Sequence, residues 1–240
     1  MIHEFQINTF PTDFNLEEIK KWLIEEDEKS NEGFYCNWIV IEKAFKNKRL
    51  VTLDFKESPI GFLVWSRGEI CVSIDILEIK PKYRKKGIGK VFVELILEHF
   101  KQKGFMVTKL YCSPRKSERF WKKIGFTKFP NRGCSESDLT YFKPLIKIQT
   151  ISKKEHTENV VELWDVEPSL KNDYLPKWTW NIEIKNDKLV LPIIQPCNYN
   201  WNLRWTKDGK IVIEDKVKYF GTMKFRVEYD PFLYIGKLIE

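Results

Sequence analysis

Apolar side chains recur along the first 146 residues with two different periods. Between Gly87 and Lys103 they stand at Ile88, Val91, Phe92, Leu95, Ile96 and Phe100, the stripe of an amphipathic helix that Gly104 closes. A second helical stripe, Leu16, Ile19, Trp22 and Leu23, follows Asn15 as a cap, with Glu17 and Glu18 in its first turn. Asn37 to Phe45 predicts a short third helix. Ser113 as N-cap and Pro114 at the first helical position predict a fourth, running to Ile124 and stopped by Gly125.

The other period is two. Residues 1–10 alternate loosely, Leu50–Phe55 and Ile60–Trp65 form a hairpin about Glu57-Ser58-Pro59, and Cys71–Ile79 is rich in isoleucine and valine. Val107–Cys112, Phe126–Phe129 and Leu139–Leu145 complete the strands. The order β-α-α-β-β-β-α-β-α-β-β is a mixed α/β pattern.

Beyond residue 150 the texture changes. One helical patch, His156–Trp164, precedes short alternating stretches at Trp178–Ile184, Lys188–Ile194, Trp201–Thr206, Lys210–Glu214 and Met223–Tyr229. Turns at Asn186-Asp187 and Asp208-Gly209 separate some of them. The division expected is a domain over 1–146 and a smaller, mostly β domain or extension over 147–240. Trp178 and Trp180 stand at i, i+2 and Trp201 and Trp205 at i, i+4, so each pair shares one side of a strand. They form either a small β core or a stacking platform for a ligand or nucleic acid.

Composition narrows the classes. The 240 residues are 42% hydrophobic and 31% charged, an ordinary globular balance, and no apolar run approaches bilayer length. The N-terminal residues lack a basic segment followed by an apolar one, so no secretory signal is read there. Cys36, Cys71, Cys112, Cys134 and Cys197 are scattered, never in C-x-x-C spacing, and are expected as reduced thiols in a cytoplasm. With only His3, His99 and His156, neither a metal cluster nor a histidine-driven nucleophile is expected. Cys112 has no histidine near it in sequence and reads as a buried structural thiol.

The net charge of +7 is uneven. Residues 76–130 hold 15 basic and 4 acidic side chains, a net +11, whereas residues 1–75 carry −5. Such a block attracts nucleic acid, a membrane surface or a phosphorylated small molecule. Inside it lies Ile79-Lys80-Pro81-Lys82-Tyr83-Arg84-Lys85-Lys86-Gly87-Ile88-Gly89-Lys90, where a strand ends, an R-x-x-G-x-G loop follows and a helix begins. A helix start has unpaired N–H groups and a partial positive charge, and glycines let backbone approach a ligand closely, so this geometry suits a pyrophosphate.

This segment resembles the acyl-CoA-binding motif of the GCN5-related N-acetyltransferase (GNAT) superfamily. Ser117-Glu118-Arg119-Phe120-Trp121-Lys122-Lys123-Ile124-Gly125-Phe126 is similar to that family's helix-to-strand signature. The resemblance covers about residues 1–146, and 147–240 resemble no named family. It implies a mixed central sheet with flanking helices, a cytoplasmic transferase and acetyl-CoA as the acyl donor, with CoA as product and no metal. It assigns the backbone of Leu77, Glu78 and Ile79 to pantetheine. Lys85, Lys86, Gly87, Ile88, Gly89 and Lys90, led by Arg84, are assigned to the pyrophosphate, and Ser113 and Ser117 also to the cofactor. A primary amine, on a small molecule or a protein, would attack the thioester directly in a ternary complex.

The resemblance also makes Asp75, with Glu78 as alternative, the candidate base. Two positions depart from the family pattern. The tyrosine that often protonates the leaving thiolate is Trp121, a donor that does not titrate as a phenol does. The asparagine that often contacts the cofactor is Pro114. Trp121 would line the thioester pocket or belong to the core, and Tyr111, Cys112 or Ser113 could supply the proton. The acidic run Glu25–Glu28 is read as a solvated helix end or an attractant for a cationic amine. The rival reading is a catalytically weak module of the same fold that binds nucleic acid or an acidic partner. No membrane association is expected, and a homodimer is left open.

Overall fold

The computed structural model describes residues 5–30, 33–133, 138–152, 157–186, 188–220 and 231–237. His3, Cys134, His156 and the strand expected at 223–229 lie outside these residues. The chain divides into two compact units, Met1–Phe126 and Thr127–Glu240.

In the first unit, strands β1 (Phe5–Asn8), β2 (Leu50–Phe55), β3 (Ser58–Arg67), β4 (Cys71–Ile79) and β5 (Val107–Tyr111) form a mixed sheet in that order. The first four run antiparallel to their neighbours, and β4 and β5 are parallel. Helices α1 (Asp13–Ser30) and α2 (Trp38–Lys46) bury Leu16, Ile19, Trp22, Leu23, Ile41 and Ala44 against Phe62, Val64 and Ile76 of the sheet. Pleat alternation turns Trp65 of β3 away from Phe62 and Val64. Its ring meets Phe100 of α3 (Ile88–Gln102) at 5.4 Å, so helices cover both faces. The short α4 (Glu118–Lys123) completes the unit.

Several local expectations shift. Helix α1 begins two residues before Asn15, whose Oδ1 accepts the backbone N–H of Thr12 at 2.9 Å. Asn15 is therefore the reciprocal half of a capping box and not the cap itself. The β2–β3 turn is Lys56-Glu57, both with positive φ, and Pro59 sits inside β3, opposite Asp54. The buried stripe of α3 runs through Val93 and Leu97, leaving Leu95 exposed, because the helix is covered from one side of the expected stripe. Ser113 caps nothing: a single 3-10 turn, Arg115–Ser117, precedes α4.

In the second unit, β6 (Thr127–Lys128) pairs antiparallel with β7 (Thr140–Pro144). The expected boundary at 146 falls 20 residues beyond the division between the units. Phe129 and Phe142 pack against Phe232, at 5.5 and 5.8 Å, and so belong with the C-terminal core. Strands β8 (Val160–Leu163), β9 (Trp178–Asn181), β12 (Asn202–Lys207) and β13 (Lys210–Lys216) form one sheet, in the order β13-β12-β8-β9. Strands β10 (Ile184–Lys185), β11 (Lys188–Pro196) and β14 (Phe232–Lys237) form another.

The helix expected at His156–Trp164 is β8 in its described part. All four residues of β8 are buried and paired on both sides, which satisfies a β-branched run better than a helix can. Strand β14 was not foreseen. The four paired tryptophans are core: Trp180 and Trp205 are 2% exposed, and Trp178 stacks on Trp201 at 5.4 Å. Buried rings leave no stacking platform for nucleic acid.

Gly61 of β3 lies opposite Ile79, where the two strands approach closely. A Cβ there would stand 2.7 Å from Ile79 Cδ1 and 2.9 Å from the Glu78 carbonyl oxygen. Gly61→Ala is expected to lower the unfolding free energy by roughly 1–3 kcal/mol through overpacking, read from the denaturant midpoint.

Candidate active site

The site begins where β4 and β5 part. Their parallel register runs from Cys71–Val107 to Ile74–Leu110 and stops. Beyond it, β4 continues to Ile79 against β3 alone. Asp75 and Tyr111 are the first residues past the last pair, one on each arm of the fork. Asp75 is also the extra residue of a β-bulge, since Val64 faces Ile76 and Trp65 faces Ile74. Antiparallel alternation sends the backbone groups of Ile76, Glu78 and Lys80 towards β3, the last through Lys80 N–H to Ile60 O at 2.8 Å. Those of Leu77 and Ile79 therefore turn to the open edge.

Asp75 is an exposed residue of β4, and its carboxyl is partly shielded from water. Loss of solvent raises its pKa, offset in part by hydrogen bonds from Ser66 and Ser73 and by Lys109 and Arg49. The Ser66 hydroxyl donates to Oδ1 at 3.1 Å. Tyr111 is 55% exposed at the end of β5.

Beyond β4 the chain makes one 3-10 turn, Pro81–Tyr83, and enters the glycine loop. Lys85 and Gly87 both take left-handed conformations, φ 61° and 78°. Gly87 is the N-cap of α3, whose geometry leaves the Ile88 and Gly89 N–H groups without intrahelical acceptors. A Cβ on Gly87 would meet nothing within 4 Å, so the glycine answers to its φ and not to crowding. A Cβ on Gly89 would make ordinary contacts at 3.7 to 3.8 Å with Phe120 and Ile79. Lys85 and Lys86 are exposed, and Lys90 forms a surface pair with Glu94 at 3.7 Å.

Arg84 is not free. Its guanidinium grips Glu26 of α1 through both nitrogens, at 2.6 and 2.8 Å, and reaches Glu78 Oε1 at 3.0 Å. Its Nε donates to the carbonyl of Ile79 at 2.7 Å, and Glu78 Oε1 accepts the Ile79 N–H at 2.9 Å. Burial, ahead of the opposing pull of Arg84, pushes the Glu78 carboxyl up in pKa. Glu78 is thus engaged as a ligand of Arg84 and is not a free base, and both backbone groups of Ile79 are already bonded. Of the three β4 residues expected to pair through backbone, only Leu77 is left facing the open edge without such a side-chain contact among the described bonds.

The remaining candidates separate. Trp121 is 7% exposed, wedged between Phe120 and Phe126 at 5.0 and 5.1 Å, and is a core residue of the unit. Cys112 is buried, and burial raises its thiol pKa despite the Ser117 hydroxyl beside it. Ser113 is exposed. Glu26 was read only as part of an acidic run. Its position on the stripe Leu16, Ile19, Leu23 was the signal that it points inward.

The family model for the GNAT acetyltransferases matches residues 8–126. These residues therefore carry a GNAT acetyltransferase domain. Solved GNAT structures align with about three fifths of the chain. The PaiA N-acetyltransferase of Thermoplasma acidophilum, crystallised with coenzyme A, is 20% identical over 58% of this chain and 98% of its own, with a TM-score of 0.46. A GNAT N-acetyltransferase of Escherichia coli, also with CoA, is 12% identical over 60% and 82%, TM-score 0.47. The ribosomal-protein-S18-alanine N-acetyltransferase of Escherichia coli is 13% identical over 59% and 94%, TM-score 0.41. No curated protein matches the chain. Among the described residues, no helix is long and apolar enough to cross a membrane.

Gly87→Ala is expected to cost about 1–2 kcal/mol for its left-handed φ, while Gly89→Ala, unstrained and in a helix, gains up to about 1 kcal/mol, both by denaturant unfolding. A carboxyl whose pKa rises on folding costs stability once ionised and nothing when protonated in both states. Asp75→Asn is therefore expected to raise Tm at about pH 7 and to leave it unchanged near pH 3, where Asp is protonated even when unfolded.

Proposed function

We propose that the protein is an N-acyltransferase that moves an acetyl group from acetyl-CoA to a primary amine by direct attack in a ternary complex. One observation carries this: the β4–β5 fork, with Asp75 and Tyr111 at its vertex and the glycine loop at the far end of β4. The residues present suit an extended acyl-CoA. The open edge at Leu77 offers backbone to an amide-bearing arm, and the start of α3 offers the N–H groups of Ile88 and Gly89 to phosphate oxygens. Lys85, Lys86 and Lys90 add positive charge. Acetyl-CoA, when bound, supplies the thioester carbonyl that the amine attacks.

Asp75, directly or through a water it orders, takes a proton from the ammonium so that a lone pair is available. Its raised pKa makes it a better base than an ordinary aspartate. Tyr111 supplies a proton to the departing thiolate from the opposite arm, the role that Trp121 cannot take from the core. Much of the rate comes from holding both reactants at the vertex. The domain assignment that accompanies this reading keeps catalysis within residues 1–146 and leaves to 147–240 the shaping of an acceptor site or interface.

Calorimetric titration with acetyl-CoA and CoA, beside a thiol-release assay over a panel of amines, tests the proposal. Micromolar binding and amine-dependent thiol release are expected. Asp75→Asn should lower kcat by roughly 10²-fold or more with acetyl-CoA affinity unchanged. Absence of any CoA binding would overturn the reading.

A further inference from the structure

Glu26, Arg84 and Glu78 form an ion cluster that the proposed chemistry does not use. Glu26 is 8% exposed, on the inner face of α1. It meets Arg84 in a bidentate fork, the strongest and most directional form of such a pair. Glu78 takes a remaining donor of the same guanidinium. Burying two carboxylates on one cation is a poor way to gain stability, since well-packed apolar residues serve as well. What the cluster does supply is direction. Arg84 is the first residue of the glycine loop, and its Nε also holds the last carbonyl of β4, that of Ile79. Helix α1, the end of β4 and the start of the loop are therefore tied at one point. Lys85, with its left-handed φ, follows immediately.

The guanidinium also carries no free charge towards a phosphate, because two carboxylates face it. Its place in the R-x-x-G-x-G sequence is then explained by what it holds in position.

We propose that Glu26 is a positioning residue for acyl-CoA: through Arg84 it fixes the loop whose N–H groups receive the pyrophosphate, without itself touching the ligand. This rests on the reading of the loop as a pyrophosphate cradle. Glu26→Gln keeps the shape of the side chain but turns an N–H group on Arg84. Loss of one charge-assisted bond corresponds to about a tenfold effect.

The test measures CoA affinity by calorimetry, and KM for acetyl-CoA and kcat with the best amine of the panel. Wild type, Glu26→Gln and Glu26→Asp are compared with Gly104→Ala, which strains a left-handed glycine (φ 87°) at the opposite end of α3 and lowers stability alone. In Glu26→Gln, the Kd for CoA and the KM are expected to rise about tenfold with kcat changed less than about twofold. Glu26→Asp, which keeps the charge, should fall between, and it carries the test if the glutamine variant does not fold. Unchanged CoA affinity in both variants, while wild type binds CoA, would overturn the positioning role and leave the cradle standing. An equal loss in Gly104→Ala would also overturn it, assigning the effect to stability. Wild-type protein that binds no CoA would overturn cradle and role together.

Discussion

A parallel strand pair that ends at Ile74–Leu110 is the constraint on which the rest of this GNAT domain depends. A strand interior has two edges of backbone donors and acceptors, and each buried group needs a partner. By leaving β5, the last five residues of β4 keep β3 on one side and expose the other. Everything of chemical interest lies along that exposed edge: a bulge with a partly shielded carboxylate at its start, Leu77 in its middle, and the Arg84 cluster with the glycine loop at its end. The β4 arm of the opening is held from outside. Gly61 lets β3 lie close against Ile79, and α1 reaches the end of β4 through Glu26 and Arg84.

Charge works at two ranges here. The excess of +11 over residues 76–130 is a long-range attraction for an anion, carried by lysines on the surface. Arg84 belongs to the same stretch but is neutralised locally by two carboxylates, so it contributes geometry in place of field. The distinction separates residues that gather a phosphate-bearing ligand from one that fixes the backbone meant to receive it. Ion pairs at the exposed lysines, such as Lys90–Glu94, are screened and weak, whereas the Glu26 fork is sheltered and directional.

The C-terminal unit follows a different logic. Two small sheets bury Trp178, Trp180, Trp201 and Trp205 together with Val161, Leu203, Ile193 and Leu233. Large aromatic rings from strands on either side of β8 give a short-stranded unit enough apolar area to form a core. Those same rings suggested a binding platform when seen as sequence, and it is their burial that assigns them to packing.

Local periodicity and turn chemistry were enough to determine the strand and helix order of residues 1–146, the glycine loop between β4 and α3, and the β character of the tail, because each depends on neighbours a few positions apart. Strand β8 reads as helix locally, but its pairing partners, β9 and β12, lie outside the local window and outweigh that pattern. The fork likewise is a statement about where two strands stop pairing, which no single segment encodes. The resemblance implied a backbone role for Leu77, Glu78 and Ile79, while the vertex at Asp75 and Tyr111 is a matter of register. Trp121, equally suited to a pocket wall or a core, was decided by the rings of Phe120 and Phe126 around it. Glu26 and Arg84 are 58 positions apart, and only the docking of α1 over the end of β4 brings their charges together. Sequence determined which residues could carry the chemistry; tertiary structure decided which of them face solvent, which face one another, and which are already bound.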